Sequence, residues 1–218
     1  MKLLFIGNSS TYVNDLPSIL KGLLNENSID SRVDSVTKGG RRLADNLESD
    51  DEHSQKLAEL ASKNEYDFLI LQEHTKESAL LENRFSNSVG ALIKLVSPKK
   101  TILYSTLPRK EGHPELNKSG WQKTVDMALD VYGAYKRAAQ KHGAILCPTS
   151  LEFFLTTQKY PEINLYAEDG AHPSYAASAL AAISLYKLIA GTLPEKHVSI
   201  ALDNETFKKL SIITDQTV

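Results

Sequence analysis

The sequence predicts an α/β fold, a three-layer α/β/α sandwich around a five-stranded, mainly parallel sheet. Three observations carry this. Five short apolar runs, each near ~5 residues long, read as strands. Longer segments whose apolar residues recur at helical spacing lie between them, and a regular strand–helix alternation implies right-handed crossovers between parallel neighbours. The length, 218 residues, suits one domain with a substantial core, so residues 1–218 are expected to form a single domain.

The first strand covers residues 2–6 and ends at once in "GNSST". Asn14 or Asp15 then caps a helix over residues 16–24. The second strand, 31–36, leads into a helical pattern at 43–62 that is interrupted by Asp50, Asp51, Glu52 and His53, read as solvated surface. Strand three is 68–71, followed by a helix at 84–96, and strand four is 101–105. After it comes the longest irregular stretch, 107–120, which the doubly wound arrangement places at the same sheet edge as "GNSS". A helix at 121–142, a strand at 144–147 and the run "SYAASALAAISLYKLIAG" follow; that last helix begins beyond Pro173 and stops at Gly191. An amphipathic segment at 203–213 completes the packing.

Composition excludes several function classes. With 25 basic and 27 acidic side chains the net charge is -2, which gives no broad positive field for nucleic acid, and Lys38, Arg41 and Arg42 read as a solvated loop. No run approaches the ~18 apolar residues of a membrane span, and "MKLLFIG" is too short for a signal peptide, so a cytoplasmic location is expected. Cys147 is the single cysteine, and it is expected to be a small buried hydrophobe.

The chemistry rests on residues from opposite ends of the chain. A serine hydroxyl is a poor nucleophile until an oriented base removes its proton. Ser9 lies at the end of strand one, and "EDGAHPS" sets Asp169 three residues before His172, where a turn brings carboxylate against imidazole. Each residue alone has a plainer reading: Ser9 as a turn residue, Asp169 as a helix cap, His172 as surface. A metal site at Asp169 and His172 gathers no companions. The G-x-S-x-G elbow, the Walker A loop and the G-x-G-x-x-G fingerprint are absent, so a different serine scaffold is required.

These blocks resemble the SGNH/GDSL hydrolases over nearly the whole chain. "FIGNSST" resembles the family's first block, "KGGRRLADNL" the second and "DGAHPS" the fifth, most closely in a bacterial branch with "GNS-x-T", "ND-x-P", "GG-x-x-L", "LQE" and "LY-x-x-DG-x-HPS". The resemblance implies a flavodoxin-like sandwich and a catalytic set of Ser9, Asp169 and His172, with an oxyanion hole from the backbone N–H groups of Ser9 and Gly40. It departs at the third block, where the usual Asn is replaced by Gln72, whose amide is expected to donate to the same oxygen; the plainer alternative is a strand-end polar residue that caps a neighbouring backbone group. Glu73 and His74 read as solvated loop residues.

The expected function is therefore hydrolysis of carboxylic esters through an acyl-enzyme, without metal or organic cofactor. Small acyl esters, acetyl groups on carbohydrates among them, are the expected substrates, because no long apolar lid is evident. The alternative is a non-catalytic carbohydrate- or nucleotide-binding module on the same sheet, which has no need for Ser, Asp and His to meet. A small-molecule ester partner is expected, with neither nucleic acid nor membrane, and the oligomeric state is left open.

Overall fold

The computed structural model describes residues 1–48 and 50–218. One sheet, ordered β2-β1-β3-β4-β5, is built from β1 (Lys2–Gly7), β2 (Arg32–Thr37), β3 (Phe68–Leu71), β4 (Lys100–Tyr104) and β5 (Ile145–Cys147). Every pairing in it is parallel. The chain steps from β1 outward to β2, then crosses back to β3 on the other side of β1. The crossovers from these two strands leave in opposite directions, which opens a crevice at the carboxyl ends of β1 and β3.

The alternation of side chains along β1 builds two cores at once. Leu3 and Phe5 pack with α2 (Leu16–Glu26), α10 (Tyr175–Ala190) and α11 (Asn204–Thr217). Leu4 and Ile6 face the other way, toward α4 (Glu52–Lys63), α6 (Glu82–Val96) and α8 (Thr124–His142). All four side chains are fully buried, and burial of each is worth roughly 1.5–3 kcal/mol. A strand apolar on both faces is what a sheet covered on both sides requires. Helix α10 is buried on every side from Ala177 to Tyr186, because it lies on the sheet while α2, α9 (Thr149–Lys159) and α11 pack around it.

The strands differ from their expected limits by one residue at most, whereas several helices differ more. The pattern at 43–62 is two helices, α3 (Asp45–Glu48) and α4, and the acidic patch between them is structural. Asp51 caps α4 by accepting the His53 and Ser54 N–H groups at 3.1 and 3.0 Å. It also takes two hydrogen bonds from Arg41, at 2.6 and 3.0 Å. Arg41 is itself buried and further bonded to Asn46, the Asp45 carbonyl and Ser54, so it anchors its loop from within.

Helix α7 (Pro114–Lys118) falls in the stretch 107–120 read as irregular, and α5 (Thr75–Leu80) in a stretch with no assigned element. Helix α9 was also not expected. Its buried residues are Thr149, Ser150, Glu152, Phe153 and Thr156, a mostly polar face that leaves no apolar stripe to detect. Helix α8 starts at Thr124, and Trp121 sits ahead of it with its indole N–H donating to Asp130. Cys147 is buried and free, as expected. Among the described residues no helix is long and apolar enough to cross a membrane.

Candidate active site

Strand β1 delivers Ser9 to the crevice. Gly7 is its last residue, and Ser9 is the first residue of α1 (Ser9–Tyr12). Asn8 caps this turn, its Oδ1 accepting the Ser10 N–H at 3.2 Å while its Nδ2 donates to the Arg41 carbonyl at 3.0 Å. The residue that needs to be glycine for space is Gly7. A Cβ there would come within 2.5 Å of Thr11 Oγ1 and 2.7 Å of Gln72 Oε1, closer than these buried groups can yield.

The opposite end of the chain brings in His172 and Asp169. Asp169 Oδ1 accepts the N–H groups of Ala171 and His172 at 2.9 and 3.0 Å, closing the turn, and Oδ2 lies 2.5 Å from His172 Nδ1. A carboxylate only accepts, so His172 carries its proton on Nδ1 and presents an acceptor at Nε2. Ser9 Oγ lies 2.9 Å from that nitrogen. Ser9, His172 and Asp169 thus form one hydrogen-bonded chain. The Asp169 carboxyl is held well below its usual range, first by the His172 backbone N–H, then by the imidazole and the Ala171 N–H.

Three contacts fix the turn from outside. Arg109 Nη1 donates to the Ala171 carbonyl at 3.1 Å, while its Nε is paired with Glu115 at 2.7 Å. Lys110 N–H donates to the Gly170 carbonyl at 2.9 Å. Asn14 Nδ2 reaches the Pro173 carbonyl and Ser178 Oγ, both at 2.9 Å, which ties the segment after Ser9 to the segment after His172. Arg109 and Asn14 were not expected here. Arg109 belongs to the stretch at 107–120 that follows strand four, and Asn14 belongs to the "ND-x-P" block, where Asp15 is the cap of α2.

Ser9 and His172 open on a cleft of about 230 Å³, also lined by Asn8, Ser10, Gly40, His74, Thr75, Arg109 and Ala171. Gly40 reaches it in the left-handed region, with φ of +68°, and a Cβ there would meet no atom within 4 Å. Backbone conformation, rather than room, is therefore what calls for glycine at this position. Among the described residues no backbone acceptor is paired with the N–H of Ser9 or Gly40.

Gln72 is the site residue that the structure does not bring to the cleft. It is 1% exposed. Its Oε1 accepts the Asn8 N–H and the Thr11 hydroxyl, each at 2.8 Å, and its Nε2 donates to Asn8 Oδ1 at 2.9 Å and the Glu73 carbonyl at 2.6 Å. The backbone N–H at one end and the carbonyl at the other fix the amide's orientation and use both of its N–H groups. The expectation of a Gln72 donor to the reacting oxygen is corrected accordingly: the longer side chain passes under the turn that bears Ser9 and holds it from below.

Glu73 and His74 are not solvated loop residues either. Glu73 is buried; its carboxylate accepts the Leu43 N–H at 3.2 Å and the His74 N–H at 2.6 Å. Burial pushes its carboxyl up to about 7. It therefore joins the loop that bears Gly40 to the carboxyl end of β3. Among the described residues no group of three His, Cys, Asp or Glu side chains is placed to hold a metal ion.

A doubly wound parallel sheet with a serine–histidine–aspartate chain at the ends of its strands is the frame of a hydrolase class, and the solved structures it resembles say which one. A protein of Slackia heliotrinireducens described as an SGNH hydrolase is 30% identical and superposes with a TM-score of 0.76, over 87% of this chain and 98% of that one. A DUF4886 family protein of Bacteroides uniformis is 14% identical with a TM-score of 0.82, over 99% and 93% of the two chains. Est24 of Sinorhizobium meliloti, described as a carbohydrate acetylesterase, is 15% identical with a TM-score of 0.60, over 87% and 98%. No family model and no curated protein matches the chain. The chain belongs to the SGNH hydrolase family, on the strength of the first of these likenesses.

Proposed function

We propose that this protein is a serine esterase that hydrolyses carboxylic esters through an acyl-enzyme. The observation that supports this most strongly is the imidazole of His172 lying between Ser9 and Asp169, at 2.9 and 2.5 Å. As Ser9 Oγ attacks the ester carbonyl carbon, its proton passes to His172 Nε2, and Asp169 stabilises the imidazolium. The carbonyl π electrons move onto oxygen, where the N–H groups of Ser9 and Gly40 receive the charge. Collapse of this intermediate breaks the bond to the alcohol, which leaves with the proton held on His172. Water then attacks the acyl-serine by the same route and releases the acid.

The cleft favours small acyl groups, acetyl esters of carbohydrates among them. Its volume is about 230 Å³, below the ~300–1,000 Å³ of pockets that enclose drug-sized ligands. Its lining is polar apart from Ala171 and Gly40, so a long acyl chain has no continuous apolar wall to offset its desolvation. The rival reading, a carbohydrate- or nucleotide-binding module without turnover, gives no reason for the three residues to converge.

The test joins fluorophosphonate labelling, with mass spectrometry to locate the adduct, to hydrolysis of p-nitrophenyl esters. The expected result is an adduct on Ser9 and a kcat/KM that falls steeply from acetate or butyrate to palmitate. An adduct on another serine, or none, would refute the mechanism. A steady rise toward palmitate would refute the substrate class and favour a long-chain lipase or thioesterase.

A further inference from the structure

We propose that His74 supplies the side-chain hydrogen bond to the reacting oxygen, the donor that Gln72 cannot be, and that it does so through a neutral imidazole Nε2–H. The inference rests on the esterase reading and deepens it.

Side-chain N–H donors at the cleft are few, and most are engaged. Asn8 Nδ2 is on the Arg41 carbonyl, and His172 Nδ1 is on Asp169. Arg109 is held through Nε by Glu115 and through Nη1 by the Ala171 carbonyl, contacts that brace the turn carrying His172; among the described residues its Nη2 has no partner. His74 also lines the cleft, and among the described residues its ring makes no hydrogen bond. Its Nδ1 is sealed from solvent without a partner.

That orphan fixes the tautomer. A neutral imidazole places its single proton on the nitrogen that can find an acceptor, and a buried N–H with none costs on the order of 1–3 kcal/mol. Nδ1 has no acceptor, so the proton resides on Nε2, the nitrogen that is not sealed. Neutrality is favoured as well. Burial lowers the His74 pKa and the cation of Arg109 pushes it the same way, with Lys76 adding to the effect and Glu77 and Glu115 opposing it. With its proton on Nε2 the ring turns no lone pair toward the cleft, so it can donate to developing negative charge without competing with His172 for the proton of Ser9.

Placement follows from the same strand end. His74 is the cap residue of α5, two positions beyond Gln72 at the carboxyl end of β3. The Glu73 carboxylate bonds the backbone N–H of His74 and that of Leu43, in the loop that contains Gly40. One buried side chain thus ties the backbone of His74 to the loop that carries Gly40, which keeps the two strand-end segments together.

The experiment compares His74→Phe, which keeps a planar ring without a donor, with His74→Gln and His74→Asn, whose amides reach toward the Nε2 and Nδ1 positions respectively. Removing one such donor typically costs ~10²–10³ in kcat with little change in KM. His74→Phe is expected to show that split with p-nitrophenyl acetate, and to slow fluorophosphonate labelling of Ser9 in parallel. His74→Gln is expected to recover at least about ten-fold of the loss, and His74→Asn to recover none. If His74→Phe does not fold, the Gln and Asn pair decides alone. A folded His74→Phe within about three-fold of wild type, a loss carried by KM, or equal activity of the Gln and Asn variants would overturn the proposal. Each of these outcomes presupposes a wild type that turns over ester and labels at Ser9; a wild type that does neither sinks the esterase reading and this inference with it.

Discussion

Replacing Gln72 with Leu separates a positioning residue from a catalytic donor. The substitution keeps an apolar stem of similar bulk and deletes four hydrogen bonds, those to Asn8 N, Thr11 Oγ1, Asn8 Oδ1 and the Glu73 carbonyl. Asn8 Oδ1 retains the Ser10 N–H and the Thr11 hydroxyl can rotate, so two backbone groups are left orphaned: the Asn8 N–H and the Glu73 C=O. At ~1–3 kcal/mol for each buried unsatisfied group, the expected destabilisation is about 2–6 kcal/mol. At ~2–4 °C per kcal/mol for a chain of this size, the melting temperature should fall by about 4–24 °C. Loss of activity is expected to accompany it, because Asn8 immediately precedes Ser9. The assay is a thermal melt by circular dichroism beside steady-state kinetics on p-nitrophenyl acetate. An unchanged melting temperature with a ~10²–10³-fold lower kcat and constant KM would refute the reasoning, since that is the signature of a donor to the transition state.

Two further outcomes are expected. Asp169→Asn keeps Oδ1 on the Ala171 and His172 N–H groups and sets an amide NH2 where Oδ2 accepts from His172 Nδ1, which favours the wrong tautomer of the ring, so kcat should fall by ~10⁴ with the fold intact; pre-steady-state bursts with an activated ester read it, and a loss below about ten-fold would argue against the Ser9–His172–Asp169 assignment. The second concerns pH. Glu152 is fully buried, with Oε1 accepting the Ser184 and Thr217 hydroxyls and Oε2 unpartnered, and burial pushes its carboxyl up to about 7. A pKa raised by folding means that the native state holds its proton where the unfolded chain has lost it, so stability is full below the ordinary carboxylate range and declines as pH rises toward about 7. Thermal melts from pH 5 to 8 should show that decline, and Glu152→Gln should flatten it; Glu73, raised to the same level, keeps part of the slope. Equal slopes in both proteins would mean that Glu152 is not the titrating group.

Much of the fold was written locally. Strand limits fell within one residue because β1, β3 and β4 are covered on both faces, which forces short unbroken apolar runs such as "LLFI" and "FLIL". Helix α10 declared itself by Ser174 at its start and Gly191 at its end. Ser9, Asp169 and His172 could be singled out because a serine at a strand end and an Asp-x-x-His turn are specific residue patterns, and because the doubly wound topology carries loops far apart in sequence to one sheet edge. The pairing of Asp169 with His172 is itself local, spanning three residues.

The direction in which polar side chains point is set by packing between elements distant in sequence. The letters "LQEHT" assign amide, carboxylate and imidazole to the end of β3, but rotamers and burial determine that Gln72 lies beneath the turn that bears Ser9, Glu73 joins two loops and His74 lines the cleft. Helix α9 escaped notice for a related reason: its buried face satisfies polar groups with partners such as Ser184 and Thr217, which lie 32 and 65 residues away from Glu152. Apolar burial is a property of the residue type and leaves a periodic trace in the sequence. A hydrogen bond is a property of two residues and an angle, and the second residue is supplied by the fold.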